Sequence, residues 1–327
     1  GDSNAEAIAL TMKAMYISCL TDLFGDIPYT DAFKSRTEGN VTPAFDSQKS
    51  VYEAMLADLE KANTLYDLSK TMTYPNKDLL FGGNFAKWQK FTNSLRLRLL
   101  MRLSNRASEM NVAAKINEII NNPATNPIIS SNSENAVLAY TGVTPFNNPY
   151  GDYKDSEFNV RKAGSQIIDM MNTAFDPRLP VYFTLGSGSN GYVGMKSGDA
   201  AASTTGCATV NLATFKQYNS PYNILTYSEV QFILAEAAQR GFIAGGNAVA
   251  ASYYENAVKA SVKQWAPTVT DAVLNTFYND SDVIYNSTVE RIINQKYISL
   301  FMSSGYESYN DYRRTGYPAL QIGPLLS

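Results

Sequence analysis

The sequence predicts a mostly α-helical protein, built of stacked helical hairpins and interrupted by a loop-rich insertion that contains short strands. Three observations predict it. Apolar residues recur at three- and four-residue spacing toward both ends of the chain. Helix-start signals, a Ser or Thr followed three residues later by Glu, stand at Ser3, Thr226 and Ser287. Between them the composition shifts to Asn, Pro, Gly, Ser and Tyr. The reading is a helical part over 1–122, a loop-rich part over 123–222 and a second helical part over 223–327.

The first helix runs from Ser3, paired with Glu6 as a capping box, to Gly25. Its predicted apolar face is Ile8, Met12, Met15, Cys19 and Leu23, which makes Cys19 a small core residue. A turn-rich stretch around Pro28 leads to a second helix starting near Asp46, with Val51, Met55, Leu59 and Ala62 inside. After Pro75, Gly82 and Gly83 a third helix is predicted over 84–106. Trp88, Phe91, Leu95, Leu99 and Leu103 form its apolar side, and Arg96, Arg98 and Arg102 take its other faces. A short fourth helix covers 111–121.

In the middle, Val137 to Tyr140 reads as a short strand and 162–173 as a fifth helix. DPRLPVYF then reads as a turn and a short strand, and 186–222 as an irregular excursion with short hairpins. Loops this long inside a compact chain are often functional. Helices resume at Thr226, where Val230, Ile233, Leu234 and Ala237 face inward and Gly241 stops the helix. The partner helix spans 247–265, ahead of Pro267, with Trp265 expected to be more exposed at its end. Ala250, Tyr254 and Ala257 in that helix loosely match the spacing of a tetratricopeptide second helix. Ser287 with Glu290 opens a last helix carrying Val289, Ile292, Ile293, Tyr297 and Phe301.

Composition narrows the function. The 327 residues include no histidine, which removes the commonest general base, the Ser-His-Asp triad and most zinc sites. The net charge is −3 and no basic cluster stands out, so nucleic acid is not an expected partner. Cys19 and Cys207 make no disulfide framework. No phosphate loop, nucleophile elbow or H-E-x-x-H motif is present, and no enzyme activity is expected. Asp152, Asp155 and Glu157 are the loop carboxylates a hydrolase or a Ca²⁺ site would use, but they are more simply solvated charges and lack the EF-hand pattern. No cofactor is expected, with Ca²⁺ as a weak exception. Asn279 and Asn286 match the glycosylation acceptor spacing, a signal short enough to arise by chance. Arg313 and Arg314 read as capping or ion-paired groups near a helix end.

The loop aromatics are the better lead. The chain holds 22 Tyr against 2 Trp. A tyrosine joins a flat apolar ring to a hydroxyl, which suits a polar ligand with flat faces. Tyr140, Phe146, Tyr150 and Tyr153 fall in one irregular segment, with Asp152 among them, and Tyr192, Tyr218 and Tyr222 fall in another. These residues are the predicted ligand-binding set, with Tyr150 and Tyr153 preferred because Pro149 and Gly151 place them in a tight turn. The competing reading is that the rings anchor long loops to the helices.

Several segments in order resemble one family. They are LTDLFGDIPYTDAF, FDSQKSVYEAMLADLEKA, GGNFAKWQKFTNSLRLRLLMRLS, NPYGDY with FDPRLPVYF, YNILTYSEVQFILAEAAQRG, and INQKYISLFMSSGYESYNDYRRTGYP. Together they resemble the SusD/RagB-like outer-membrane lipoproteins of Bacteroidetes along nearly the whole chain, as one domain over 1–327. The resemblance implies a tetratricopeptide-like scaffold and a surface site for a nutrient, usually a glycan or oligosaccharide. It implies a lipid anchor on the outer face of the outer membrane and delivery of ligand to a SusC-like TonB-dependent transporter, without bond cleavage. It also implies further chain at both ends, including the N-terminal lipid anchor, which this sequence does not contain. Tyr309 stands where the family often has Trp. Ligand residues vary across the family, so none carries over by motif. A helical-repeat adaptor for a protein or peptide partner is the alternative reading.

Overall fold

The computed structural model describes residues 2–32, 34–321 and 323. It is mostly helical, as expected, and divides into two compact units, Gly1–Ile129 and Ser130–Ser327. Helices are numbered α1–α14 and strands β1–β4 in chain order.

The first unit holds α1 (Ser3–Phe24), the single turn α2 (Ser35–Glu38), α3 (Gln48–Leu65), α4 (Phe85–Arg102) and α5 (Val112–Ile120). Ser47 caps α3 by accepting from the Ser50 amide at 3.2 Å. Val51, Met55, Leu59 and Ala62 are fully buried, as their spacing predicts. Asn84 caps α4, and Trp88, Phe91, Leu95 and Leu99 lie inside.

Three expectations are corrected here. The cap of α1 is Asp2, not Ser3: its carboxylate accepts from the Asn4 amide at 3.0 Å and the Ala5 amide at 3.3 Å. The buried face of α1 is Ala7, Thr11, Ala14, Ser18 and Thr21, while Ile8, Met12, Met15 and Cys19 are half-exposed and Leu23 is 54% exposed. Small residues let α1 approach its neighbours closely, and Thr11 hydrogen-bonds Thr92 at 2.7 Å. Asp22 must also face inward to accept from Tyr52 and Arg102. Counting apolar residues cannot see a face held by small size and hydrogen bonds. The third correction concerns α4, which ends at Arg102 and is buried at every residue from Thr92 to Met101. Arg96 is therefore inside. It donates to Asn93 and Asn126, each at 3.1 Å, and lies within 3.4 Å of Glu118 and 3.3 Å of Glu60.

The second unit begins with β1 (Ala136–Leu138), α6 (Asp155–Asn159), α7 (Ser165–Thr173), the turn α8 (Leu179–Tyr182), β2 (Phe183–Thr184), β3 (Thr209–Val210) and the turn α9 (Leu212–Phe215). It continues with β4 (Tyr222–Leu225), α10 (Tyr227–Gln239), α11 (Gly246–Trp265), α12 (Asp271–Tyr278), α13 (Val289–Ser299) and α14 (Gly305–Thr315). Two short antiparallel pairs, β1 with β4 and β2 with β3, tie the loop-rich segments together. The hairpin α10–α11 is the centre of the unit. Thr226 caps α10 at the Glu229 amide, and Gly241, at φ +76°, turns the chain after it. Ala250, Tyr254 and Ala257 are buried against α10, and the Tyr254 hydroxyl donates to the Val283 carbonyl at 2.5 Å.

Differences from expectation follow simple causes. The cap of α13 is Thr288, which accepts from the Arg291 amide at 3.1 Å, whereas Ser287 sits in the left-handed region at φ +62°. Helix α12 was not foreseen because its apolar residues, Val273, Leu274 and Phe277, give too short a repeat to stand out. Trp265 is half-buried rather than free, with its ring edge-on to Tyr182 at 5.3 Å.

Buried charges lock α10, α13 and α14 together. Both guanidinium nitrogens of Arg314 donate to Glu236, and Nη2 also reaches Asp311 at 2.8 Å. Lys296 pairs with Asp311 at 2.7 Å and lies 4.0 Å from Glu229. Burial opposes ionisation of Glu236 and Asp311. Arg314 beside both, and Lys296 beside Asp311, outweigh it and hold both carboxyls below the usual carboxylate range.

Removing one partner strands a buried charge, so Arg314→Met should destabilise the protein by about 3–5 kcal/mol at neutral pH in urea denaturation. A carboxyl with a depressed folded pKa contributes stability above its unfolded value and loses it as pH falls through the folded one. The gap between wild type and variant should therefore narrow as pH falls through the carboxylate range. Equal stabilities at neutral pH would show that the cluster contributes nothing.

Candidate functional site

The structure brings most of the predicted aromatic set to one surface of the second unit. Strand β1 ends beside β4, with Leu138 opposite Tyr222. Past β1 the chain makes a tight loop in which the Thr141 amide donates to the Phe146 carbonyl at 2.8 Å. It then enters a 3-10 turn at Pro149–Asp152. Buried Asn148 clamps this turn to the segment before β4. Its amide nitrogen donates to the Tyr218 carbonyl at 2.7 Å, its Nδ2 to the Ser220 carbonyl at 2.8 Å, and its Oδ1 accepts from the Tyr150 amide at 2.9 Å. Gly151 is required by close approach: a Cβ there would lie 2.5 Å from Cδ1 of the Tyr218 ring.

The rings form a partly exposed platform. Tyr150 and Tyr153 stand 6.1 Å apart, and each packs edge-on against buried Phe158, at 5.7 and 6.0 Å. Tyr150 is 36% exposed, Tyr153 43% and Tyr218 50%, so each keeps ring surface for a ligand. Phe146 and Tyr222 are exposed at the same loops. Tyr140 is half-buried, and burial first, then the neighbouring Tyr150, raises its hydroxyl pKa. It is therefore a neutral hydrogen-bond donor at neutral pH.

The polar groups around the platform are partly engaged. Asp152 accepts from Asn147 at 3.2 Å, Asp155 pairs with Lys216 at 2.9 Å, and Glu157 accepts from the Lys154 amide at 2.7 Å at the start of α6. The three carboxylates thus turn to separate local partners. Among the described residues no group of three or more acidic or Cys residues is arranged to hold a metal ion.

Tyr192 does not join the platform. Its ring packs on the core formed by α7, α8 and α13, and its carbonyl accepts from Asn172 at 2.8 Å. Phe158 and Asn148 were missed by the sequence reading. Phe158 lies in a five-residue helix, too short to show a period, and Asn148 joins segments far apart in sequence. Asn148→Ala removes two hydrogen bonds and should raise local opening of the clamp by about 1–3 kcal/mol. Hydrogen exchange at the Tyr150 amide reads this directly. Unchanged protection there would show that Asn148 does not hold the turn.

Known proteins give the same architecture. Residues 1–325 match the profile of the SusD-like family, described as starch-binding and associating with the outer membrane. No curated protein sequence matches the chain. Among solved structures, a Bacteroides vulgatus outer-membrane candidate for nutrient binding is 30% identical, with a TM-score of 0.84 over 100% of this chain and 77% of its own. A SusD homologue from Bacteroides fragilis is 27% identical, with a TM-score of 0.85 over 99% of this chain and 74% of its own. A chitin-binding protein is 29% identical, with a TM-score of 0.82 over 98% of this chain and 70% of its own.

Proposed function

The chain belongs to the SusD-like family of outer-membrane-associated binding proteins, and from that premise we propose that it holds a glycan on the Tyr150–Tyr153 platform and passes it to a SusC-like TonB-dependent transporter. The single observation that carries the choice of site is the clamped platform itself. Two exposed rings rest on a buried third, and two loops are fixed to each other by Asn148. A sugar ring has a flat C–H face and a rim of hydroxyls. The tyrosine rings suit the face, and Asp152, Asn147 and the tyrosine hydroxyls suit the rim.

On this reading the protein binds and does not cleave. The absence of histidine and the separate engagement of the loop carboxylates support it. In cells the protein is lipid-anchored at the surface, where a binding protein can feed a transporter.

The helical-repeat adaptor remains a second reading because one observation favours a protein contact. Tyr16, Leu20, Leu23 and Phe24 line one side of α1 and are exposed, Phe24 by 72%. A row of apolar side chains on a helix is what a helix-in-groove partner engages. Recovery of a large β-barrel from outer-membrane extract supports the transporter, and recovery of only soluble partners supports the adaptor.

Replacing Tyr150 and Tyr153 by Ala should weaken oligosaccharide binding by roughly 1–3 kcal/mol. The melting temperature should fall only modestly, because both rings keep solvent-facing surface. Product analysis of the same incubations should find the oligosaccharide intact. Undiminished affinity in the double variant, or released sugars, would overturn this assignment.

A further inference from the structure

A second cleft lies between α7 and α13, on residues the platform does not use. Both helices turn apolar residues into the core: Ile167, Ile168 and Met171 on α7, and Ile292, Ile293 and Ile298 on α13. Above that core the facing residues are polar. Asp169 comes from α7, Glu290 and Asn294 from α13, and Asp282 from the loop before it. The space they enclose is about 470 Å³, within the range of small-ligand sites. Among the residues lining it Met170 alone is apolar, and no aromatic ring is present.

Two buried amides point to a ligand independently of the carboxylates. Gln295 is only 4% exposed and lines the cleft. Its Oε1 accepts from Arg178 Nη2 at 2.9 Å, and Arg178 is itself fixed by Asp176 at 2.6 Å. This bond fixes the amide and leaves Nε2 as a donor for the cleft. Beside it, Asn294 Oδ1 is buried without a hydrogen-bond partner. The cleft's charge is unbalanced. Asp169, Asp282 and Glu290 face a single cation, Arg291, whose Nη2 already donates to the Ser281 carbonyl at 3.1 Å.

We infer that the α7–α13 cleft binds a small hydrophilic ammonium ligand, held by the carboxylates of Asp169, Asp282 and Glu290 and by the amides of Asn294 and Gln295. Carboxylates focused on a narrow cleft attract a cation, and an ammonium offers three donors to acceptors that lack them. The missing aromatic ring disfavours a flat neutral sugar, which separates this cleft from the tyrosine platform. An amino sugar and an aliphatic diamine carry the same chemistry, with and without hydroxyls.

Calorimetric titration of the whole protein with glucosamine, putrescine and N-acetylglucosamine tests the inference. Saturable binding of glucosamine or putrescine is expected, with N-acetylglucosamine much weaker. Tighter binding of glucosamine assigns the amino-sugar source, and equal or tighter binding of putrescine assigns the diamine. Asp169→Asn with Glu290→Gln should weaken amine binding about tenfold, a loss on the scale of one charge-assisted hydrogen bond. Both side chains belong to exposed residues, so the variant should fold, and Asp282→Asn gives an independent check. Raised salt should weaken binding as well. Tyr150→Ala with Tyr153→Ala should leave amine binding unchanged, so failure here is separable from failure of the platform. No saturable amine binding, equal affinity for N-acetylglucosamine, or an unaffected carboxylate variant would overturn the assignment.

Discussion

The buried ion cluster of Glu236, Arg314, Asp311 and Lys296 is the constraint on which the second unit depends. Four charges cannot be buried singly, because each would cost several kcal/mol of lost hydration. They are tolerated only with α10, α13 and α14 in register, since each helix supplies a charge that another must neutralise. The apolar packing of α10 on α11 favours association of those helices but would accept small shifts. The charge cluster does not, because a small displacement leaves a buried carboxylate unpaired. The sequence segments that resemble the family in this half, SEVQFILAEAA, INQKY and YNDYRRTG, each contribute to it. Their role is to hold a scaffold on which loops can vary.

The first unit uses the same logic in neutral form. Arg96 and Asn93 of α4, Asn63 of α3 and Asn126 after α5 form one buried hydrogen-bonded group. Asp22 of α1 accepts from Tyr52 and Arg102 at the other end. Polar groups inside a helical layer fix rotation and register where leucines alone would allow several arrangements. A helix such as α4, buried throughout its second half, can then carry arginines inward without an unpaired charge.

This explains which parts were legible in the sequence. Val51, Met55, Leu59 and Ala62 of α3, and Ala250, Tyr254 and Ala257 of α11, bury themselves through apolar periodicity, and their faces were read correctly. The inner face of α1 and the position of Arg96 depend on small size and on partners distant in the chain. A local pattern cannot supply either. Capping at Asp2 and Thr288 instead of their neighbours turns on backbone angles one residue away from an equally good side chain. The fold class survived these errors because many independent stripes specify it.

The candidate site was legible in composition and illegible in assembly. The clustering of tyrosines in two irregular segments was visible, and Tyr140, Tyr150, Tyr153 and Tyr218 do meet around one clamp. Tyr192 looked equivalent and belongs to the core, because ring type says nothing of which side of a loop faces inward. Phe158 supplies the floor without any sequence signal of its own. The central claim is that rigid helices carry the structure while the clamped loops meet the ligand. Hydrogen exchange across the whole chain, with and without a bound oligosaccharide, tests it most directly. The account predicts new protection concentrated in 139–158 and 217–222, and protection confined to helices with both loops unchanged would contradict it.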